Sequence, residues 1–351
     1  MIEIDGSYGE GGGQLLRYSV ALAALLRKEL RVYNIRAKRS NPGLRPQHLN
    51  AVKLIANLVG AEVEGLRVGS TEIVFKPKRR PRGGRYEADI GTAGSISLFL
   101  QATLPVLLSA SGEVFLRIRG GTNVKWSPPI QYMQNVLLPL LSGFGVKAEI
   151  NVERLGFYPR GGGIVSVRAS PSYPLKPVRL DRFSEIKGIW GLIYIANLPR
   201  HIAERQAASA RRALEEAGYG RYIREFKIDS KTPAIGAGTG TVLWAVTDVG
   251  ILGGDSLGER GKRSEVVGRE AAEKLIAALR SKASVDVHAL DNVVIYMALA
   301  EGKSVVYAPE LTSHAKTAMD LCRWITGARF NVEKGNGWVK VEAEGIGFRP
   351  S

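Results

Sequence analysis

QHLNAVKLIANLVGAEVE, residues 47–64, sets apolar residues at helical spacing, stops at Gly60 and then alternates. An amphipathic helix, its terminating glycine and a following strand look like this in sequence. The same order recurs in IQYMQNVLLPLLSGFGVKAE, 130–149, closing on Gly145, and in HAKTAMDLCRWITGARFNVE, 314–333, closing on Gly327. The stretches upstream also align: residues 14–38, 95–121 and 290–311 each read helix, short turn, strand. Each unit therefore reads strand–helix–strand–helix–hairpin, about 80 residues long, and a period of that size marks a repeated architecture. Units of this kind predict an α/β (α+β) fold with helices layered on sheets.

The third copy is interrupted. PSYPLKPVRLDR, 171–182, reads as its first strand, but its first helix comes only near residue 290. The intervening strands (IKGIWGLIYIAN, TVLWAVTDV) and helices (HIAERQAASARRALEEAGYG, SEVVGREAAEKLIAALRS) read as an inserted α/β domain. The expected division is a large domain of residues 1–182 and 280–351, with a smaller inserted domain at 183–279. Within the large domain the repeats cover about 1–80, 85–170, and 171–182 plus 280–346, an insertion being tolerated where chain ends lie close.

Composition narrows the function classes. The single cysteine, Cys322, excludes an internal disulfide, and the four histidines (His48, His201, His288, His314) lack zinc-site spacing. No apolar run is long enough for a membrane span, and the N-terminal residues lack a signal-peptide pattern, so the expected location is cytoplasmic. The net charge of +16, from 49 basic and 33 acidic residues, points to a polyanionic partner; an arginine-rich surface without such a partner is the competing reading. KPKRRPRGGR, 76–85, with six basic residues and no acid, reads as a solvated linker.

Two motifs are decoys. GERGK, 258–262, resembles a phosphate loop, but Ser256 replaces its first glycine and Arg263 its metal-binding hydroxyl residue. GAGTG, 236–240, precedes a strand rather than a helix and is no dinucleotide fingerprint. DGSYGEGGGQLLR, 5–17, carries more: a strand runs into a glycine-rich turn and then a helix opening near Gln14. Such a turn either brings backbone N–H groups close to phosphate or is only a tight turn. Glu10 in it has the hard oxygen that Mg²⁺ prefers, and Arg17 falls one turn past Gln14 on the same helix face. In IRAKRSNPGLRPQHL, 35–49, strand-end Arg36 and Arg39 lead through a Pro-Gly turn to Arg45, Gln47 and His48, a phosphate clamp or a charged surface turn. GFYPRGGG, 156–163, reads as the turn of a hairpin with IVSVRAS. His314 takes the place in its unit that Gln47 takes in the first. A helix start favours a neutral ring and an attached phosphoryl group, and it equally suits a plain cap residue.

Taken together, GEGGGQLLR (9–17), IRAKRSNPGL (35–44) followed by QHL, GFYPRGGG, LGERGK and LTSHAKT (311–317) resemble the RNA 3'-terminal phosphate cyclase family, in order and over nearly the whole chain. The resemblance implies three βαβαββ units plus an inserted α/β domain; enolpyruvyl transferases share related units. It implies ATP and a divalent metal (Mg²⁺ or Mn²⁺) converting an RNA 3'-phosphate into a 2',3'-cyclic phosphodiester, with release of AMP and diphosphate. It maps the adenylylated histidine onto His314 and the metal ligand onto Glu10. The terminal-phosphate pocket maps onto Gln14, Arg17, Arg36, Arg39, Gln47 and His48, and the ATP pocket onto Gln101, Pro128, His288, Asp291 and Asn292. Three positions depart from the family pattern: His288 stands where bacterial members tend to have an adenine-stacking tyrosine, Asn292 replaces a glutamine, and Leu155 replaces a basic residue. The implied partners are RNA ending in a 3'-phosphate and ATP, without a membrane; a homodimer is compatible. Two alternatives stay open, a non-catalytic ribosomal-RNA-processing relative, which would lack the histidine, and an enolpyruvyl transferase, in which His314 and the insert have no role.

Overall fold

A computed structural model describes all 351 residues. The first fifth or so of the chain runs β1 (Ile2–Asp5), α1 (Gly13–Leu26), β2 (Leu30–Tyr33), α2 (Pro46–Val59), β3 (Glu62–Glu64) and β4 (Ile73–Lys76). Because a helix intervenes, β1 and β2 pair in parallel, whereas β2 and β3 each meet β4 antiparallel, giving the order β1-β2-β4-β3. Next come β5 (Gly84–Asp89), α3 (Ile96–Leu107), β6 (Val114–Gly120), α4 (Ile130–Tyr132), a π turn at Met133–Leu137, α5 (Leu138–Ser142), β7 (Lys147–Arg154) and β8 (Gly163–Ser170). Their order is β5-β6-β8-β7, the same pattern. Strand β6 shows how its sheet buries one face under helices: Val114, Leu116 and Ile118 are buried, and Phe115, Arg117 and Arg119 between them are exposed.

The fourth sheet follows, from β9 (Ile186–Ala196), α6 (His201–Glu216), β10 (Ile223–Asp229), β11 (Gly238–Thr247), β12 (Ile251–Leu257) and α7 (Ser264–Arg280), in the order β10-β9-β11-β12. The chain ends with α8 (Val287–Leu299), β13 (Glu301–Ala308), α9 (Ser313–Thr326), β14 (Arg329–Gly335) and β15 (Trp338–Ile346), in the order β13-β15-β14. Helix α1 packs on α2, α3 and α9, and α8 packs on α9, so the helices of three sheets meet in the middle. The largest apolar cluster, 78 buried residues, draws on all three sheets and on Tyr194, Ala196 and Val242 of the fourth; a separate cluster of 15, from Phe183 to Ala283, lies under the fourth sheet alone. No helix is long and apolar enough to cross a membrane.

Local expectations fail at three places. Residues 171–182 form no full strand: only Arg179 bridges Val305. Pro171, Pro174 and Pro177 supply no N–H to a ladder, which explains the short pairing. The helix of the second unit stops at Ser142, before Gly145, and winds through a π turn just ahead of Pro139, which cannot donate to the i→i+4 ladder. Arg36 and Arg39 are not strand-end residues; β2 ends at Tyr33, and Arg36 sits in the following turn with φ 55°.

Candidate active site

The glycine loop places two things at the mouth of α1. Gly9 and Gly11 take left-handed φ of 57° and 58°, turning the chain back so that α1 begins at Gly13. Its cap residue, Gly12, offers no side chain, so no capping side chain satisfies the first N–H groups of α1. A Cβ at Gly13 would collide with the His48 ring and lie 2.9 Å from Arg17 Nη1; only glycine lets those two side chains close on the helix start.

Arg17 is 7% exposed and has no carboxylate partner. Its Nε and Nη2 donate to Gln101 Oε1 at 3.3 and 3.0 Å, and burial pulls its pKa down to about 10. Gln14, one turn earlier, is buried with Oε1 unpartnered. His48 heads α2, where its Nδ1 accepts the Arg45 N–H at 3.2 Å. Burial, then the charges of Arg17, Arg36 and Arg45, lowers its pKa to about 3, so the ring is neutral and three cations surround it. Arg36 donates to the Gly43 carbonyl at 3.0 Å, and neither it nor Arg45 forms an ion pair. Gln47 Oε1 accepts the Ser95 N–H at 3.2 Å, tying α2 to the start of α3. Buried or clustered cations lacking counter-charges hold a site for an anion.

Across from this cluster, α9 opens with Thr312 as cap: its Oγ1 accepts the Ala315 N–H at 2.9 Å and donates to Asp291 Oδ1. Burial pushes Asp291 up to about 6. His314 follows at the second helical position, its side chain 47% exposed, with Nε2 3.6 Å from Glu10 Oε2. Glu10 Oε1 accepts the Ser313 hydroxyl, and Oε2 lies 3.5 Å from Arg39. The Ser313 hydroxyl, then the His314 and Arg39 charges, hold the Glu10 carboxyl below its usual range against the opposing effect of burial. Glu10 thus joins the loop of the first unit to the histidine of the last.

The third wall is polar and ordered. Gln101 Nε2 donates to Asn292 Oδ1 at 3.2 Å, and Asn292 Nδ2 to the His288 carbonyl at 2.7 Å. Asp286 caps α8 through the His288 and Ala289 N–H groups and also receives the Tyr132 hydroxyl and the Gly253 N–H. The Tyr132 ring meets His288 edge-on, centroids 6.3 Å apart. Pro128 and an almost fully exposed Trp126, with φ 61°, complete the rim.

All of these surfaces bound one cleft of about 780 Å³, and every one of the thirteen candidate residues lines it. His201 does not; it starts α6 elsewhere. No three His, Cys, Asp or Glu side chains converge into a metal cage. The cleft also holds residues the sequence reading left out: Arg45 as a site residue, Lys125, Trp126, Asp255, Glu259 and Lys274. Lys262 of GERGK, set aside as a phosphate loop, lines the cleft too, bonded to Ser256, the Leu257 carbonyl and Glu270. Lys125 pairs with Glu259 at 2.6 Å, and no sequence spacing links positions so far apart.

A family sequence model described as RNA 3'-terminal phosphate cyclase matches residues 8–332. The chain belongs to the RNA 3'-terminal phosphate cyclase family. An RNA 3'-terminal phosphate cyclase of Pyrobaculum aerophilum is 49% identical over 348 residues, 99% of each chain. The cyclase of Hyperthermus butylicus is 49% identical over 359 residues and all of each chain, and that of Korarchaeum cryptofilum 47% over 350 residues and 99% of each. The enolpyruvyl transferase NikO of Streptomyces tendae superposes with a TM-score of only 0.38 at 11% identity, over 99% of this chain and 49% of that one, too loosely to bear on function. As a cyclase, this chain uses ATP to act on RNA ending in a 3'-phosphate.

Proposed function

We propose that the cleft runs the cyclase reaction through His314, with ATP at the Gln101–Pro128–His288–Asp291–Asn292 wall and the RNA 3'-phosphate among Gln14, Arg17, Arg36, Arg39, Gln47 and His48. The carrying observation is the half-exposed His314 ring at a helix start, 3.6 Å from Glu10, in the same cleft as the unpaired arginines. His314 Nε2 attacks the α-phosphorus of ATP; the N–P bond forms as the bond to diphosphate breaks. The helix N-terminus then favours the attached phosphoryl group. An oxygen of the RNA 3'-phosphate, held by the arginines, displaces the histidine and takes the AMP, giving RNA(3')pp(5')A. The neighbouring 2'-oxygen attacks the 3'-phosphorus, its proton is lost, and AMP leaves. Activation is required because the bare 3'-phosphate has only oxide or hydroxide to expel.

Glu10 suits a divalent cation arriving with ATP, since Mg²⁺ takes one or two carboxylates and fills its remaining positions with phosphate and water oxygens. Bound there, the cation would offset the charge of the phosphates. We also propose that residues 183–279 form an inserted body distinct from residues 1–182 and 280–351, supported by the separate apolar cluster under the fourth sheet.

The test is incubation with ATP labelled at the α-phosphate, followed by denaturation. Acid-labile label on the wild type and none on His314→Ala is the expected result. A 3'-phosphate oligonucleotide should then cyclise, and one with a 2'-deoxy terminus should stop at the adenylylated end. Equal labelling of the variant would defeat the assignment.

A further inference from the structure

Asp255 is a buried carboxylate whose Oδ1 accepts no hydrogen bond. Strand alternation decides where it points. In β12 a side chain at Gly254 would run into the α7 backbone at Ala271, and one at Gly253 would meet the Tyr132 ring at 2.5 Å. Ser256 shares the first face and donates to Glu270 of α7 at 2.8 Å. Asp255 shares the second face, with Tyr132 and, beyond it, the His288 ring. It is 9% exposed, it lines the cleft, and its Oδ1 is buried with no hydrogen-bond partner. The nearest cation, Lys274 Nζ, stands 3.7 Å away, outside hydrogen-bond reach, on a side chain about half exposed. Asp286 on the same wall shows the contrast: buried more deeply, it has both oxygens filled by Tyr132, Gly253, His288 and Ala289. Leaving a buried acceptor bare costs more than an ordinary hydrogen bond contributes, so the open oxygen suits a donor brought by a ligand.

An ionised carboxylate only accepts. The phosphate end of a nucleotide carries acceptors and negative charge, and Asp255 would repel it. The nucleoside end carries donors: the ribose hydroxyls and the exocyclic amine of adenine. We propose that Asp255 accepts a hydrogen bond from the nucleoside half of ATP and thereby sets both nucleotide orientation and nucleotide choice. This rests on placing ATP at the His288 wall.

The experiment compares wild type, Asp255→Ala and the more conservative Asp255→Asn for transfer of α-phosphate label to the protein. The nucleotides are ATP, 2'-deoxyATP, 3'-deoxyATP and purine riboside triphosphate, which lacks the 6-amine. A hydrogen bond to a charged group corresponds to roughly ten- to hundredfold in binding. Asp255→Ala should raise the KM for ATP by about that factor with kcat within about threefold, and Asp255→Asn should fall between. For one of the three analogues the wild type should lose the same factor and become equal to Asp255→Ala, which names the donor as a 2'-OH, a 3'-OH or the amine. An unchanged KM for ATP in both variants, or a constant ratio across all four nucleotides, overturns the role of Asp255 while label on wild type upholds the ATP site. Absence of label on the wild type overturns both.

Discussion

His48 illustrates how much one buried residue can do. Its Nδ1 caps α2 and its ring sits among Arg17, Arg36 and Arg45, with a pKa lowered from 6.5 to about 3, first by burial. Below about pH 6.5 the unfolded chain binds a proton that the folded ring refuses. Stability therefore falls as pH drops from 6.5 towards 3, by up to about 1.4 kcal/mol per pH unit, and is independent of this group above 6.5. Asp291 acts with the opposite sign: raised from 3.8 to about 6, it takes up a proton on folding, so its contribution declines as pH rises through that window. In urea unfolding between pH 6.5 and 4, His48→Gln should lose stability less steeply than wild type by close to one proton; equal slopes would contradict a neutral buried ring. The spacing of QHL showed a histidine at a helix start. The 35–49 stretch already offered Arg36 and Arg45 as a clamp beside it; that Arg17 joins them was not legible from spacing, because it comes from α1.

At the level of elements, the cleft is a meeting of helix starts. Helix α1 opens on Gly12 with no capping side chain for its first N–H groups; α9 opens on Thr312, which caps it and also donates to the buried Asp291. Thr312→Ala removes a cap and strands a buried carboxylate. It should cost about 2 kcal/mol or more in urea unfolding and slow labelling of His314, because the ring rides on that first turn. Thr312→Ser keeps both bonds and should restore most of each; a serine variant as damaged as alanine would place the effect in the lost methyl group. The helix periodicity and Gly60 and Gly327 were readable because local backbone chemistry ends a helix. The π turn and the failed strand at 171–182 depend on prolines, visible in sequence but decisive only once pairing partners are known.

For the whole molecule, the charge of +16 is unevenly useful. Many surface arginines are already paired, among them Arg31 with Glu3 and Glu72, Arg117 with Glu153, and Arg205 with Glu265. Arg17, Arg36 and Arg45 have no acidic partner and face the cleft. Binding of a 3'-phosphate oligonucleotide should therefore weaken linearly in log–log salt dependence, and Arg45→Ala should reduce the slope by about 0.7, one phosphate contact's worth. Arg205→Ala should leave it unchanged. Equal slopes for wild type and Arg45→Ala would remove Arg45 from the phosphate site.

Sequence by itself determined what is local or repeated: helices with their stops, the alternating strands, the glycine turn, and a histidine placed at a helix start. Those features follow from backbone sterics and apolar periodicity within a few residues. The tertiary structure decided which of them share a space. It brought Glu10 to His314, Arg17 to Gln101 and Lys125 to Glu259 across long stretches of chain. It also left Asp255 Oδ1 without a hydrogen bond while Asp286 was filled. Partner choice between distant polar groups depends on how helices of three sheets pack in one core, and no spacing along the chain encodes that distance.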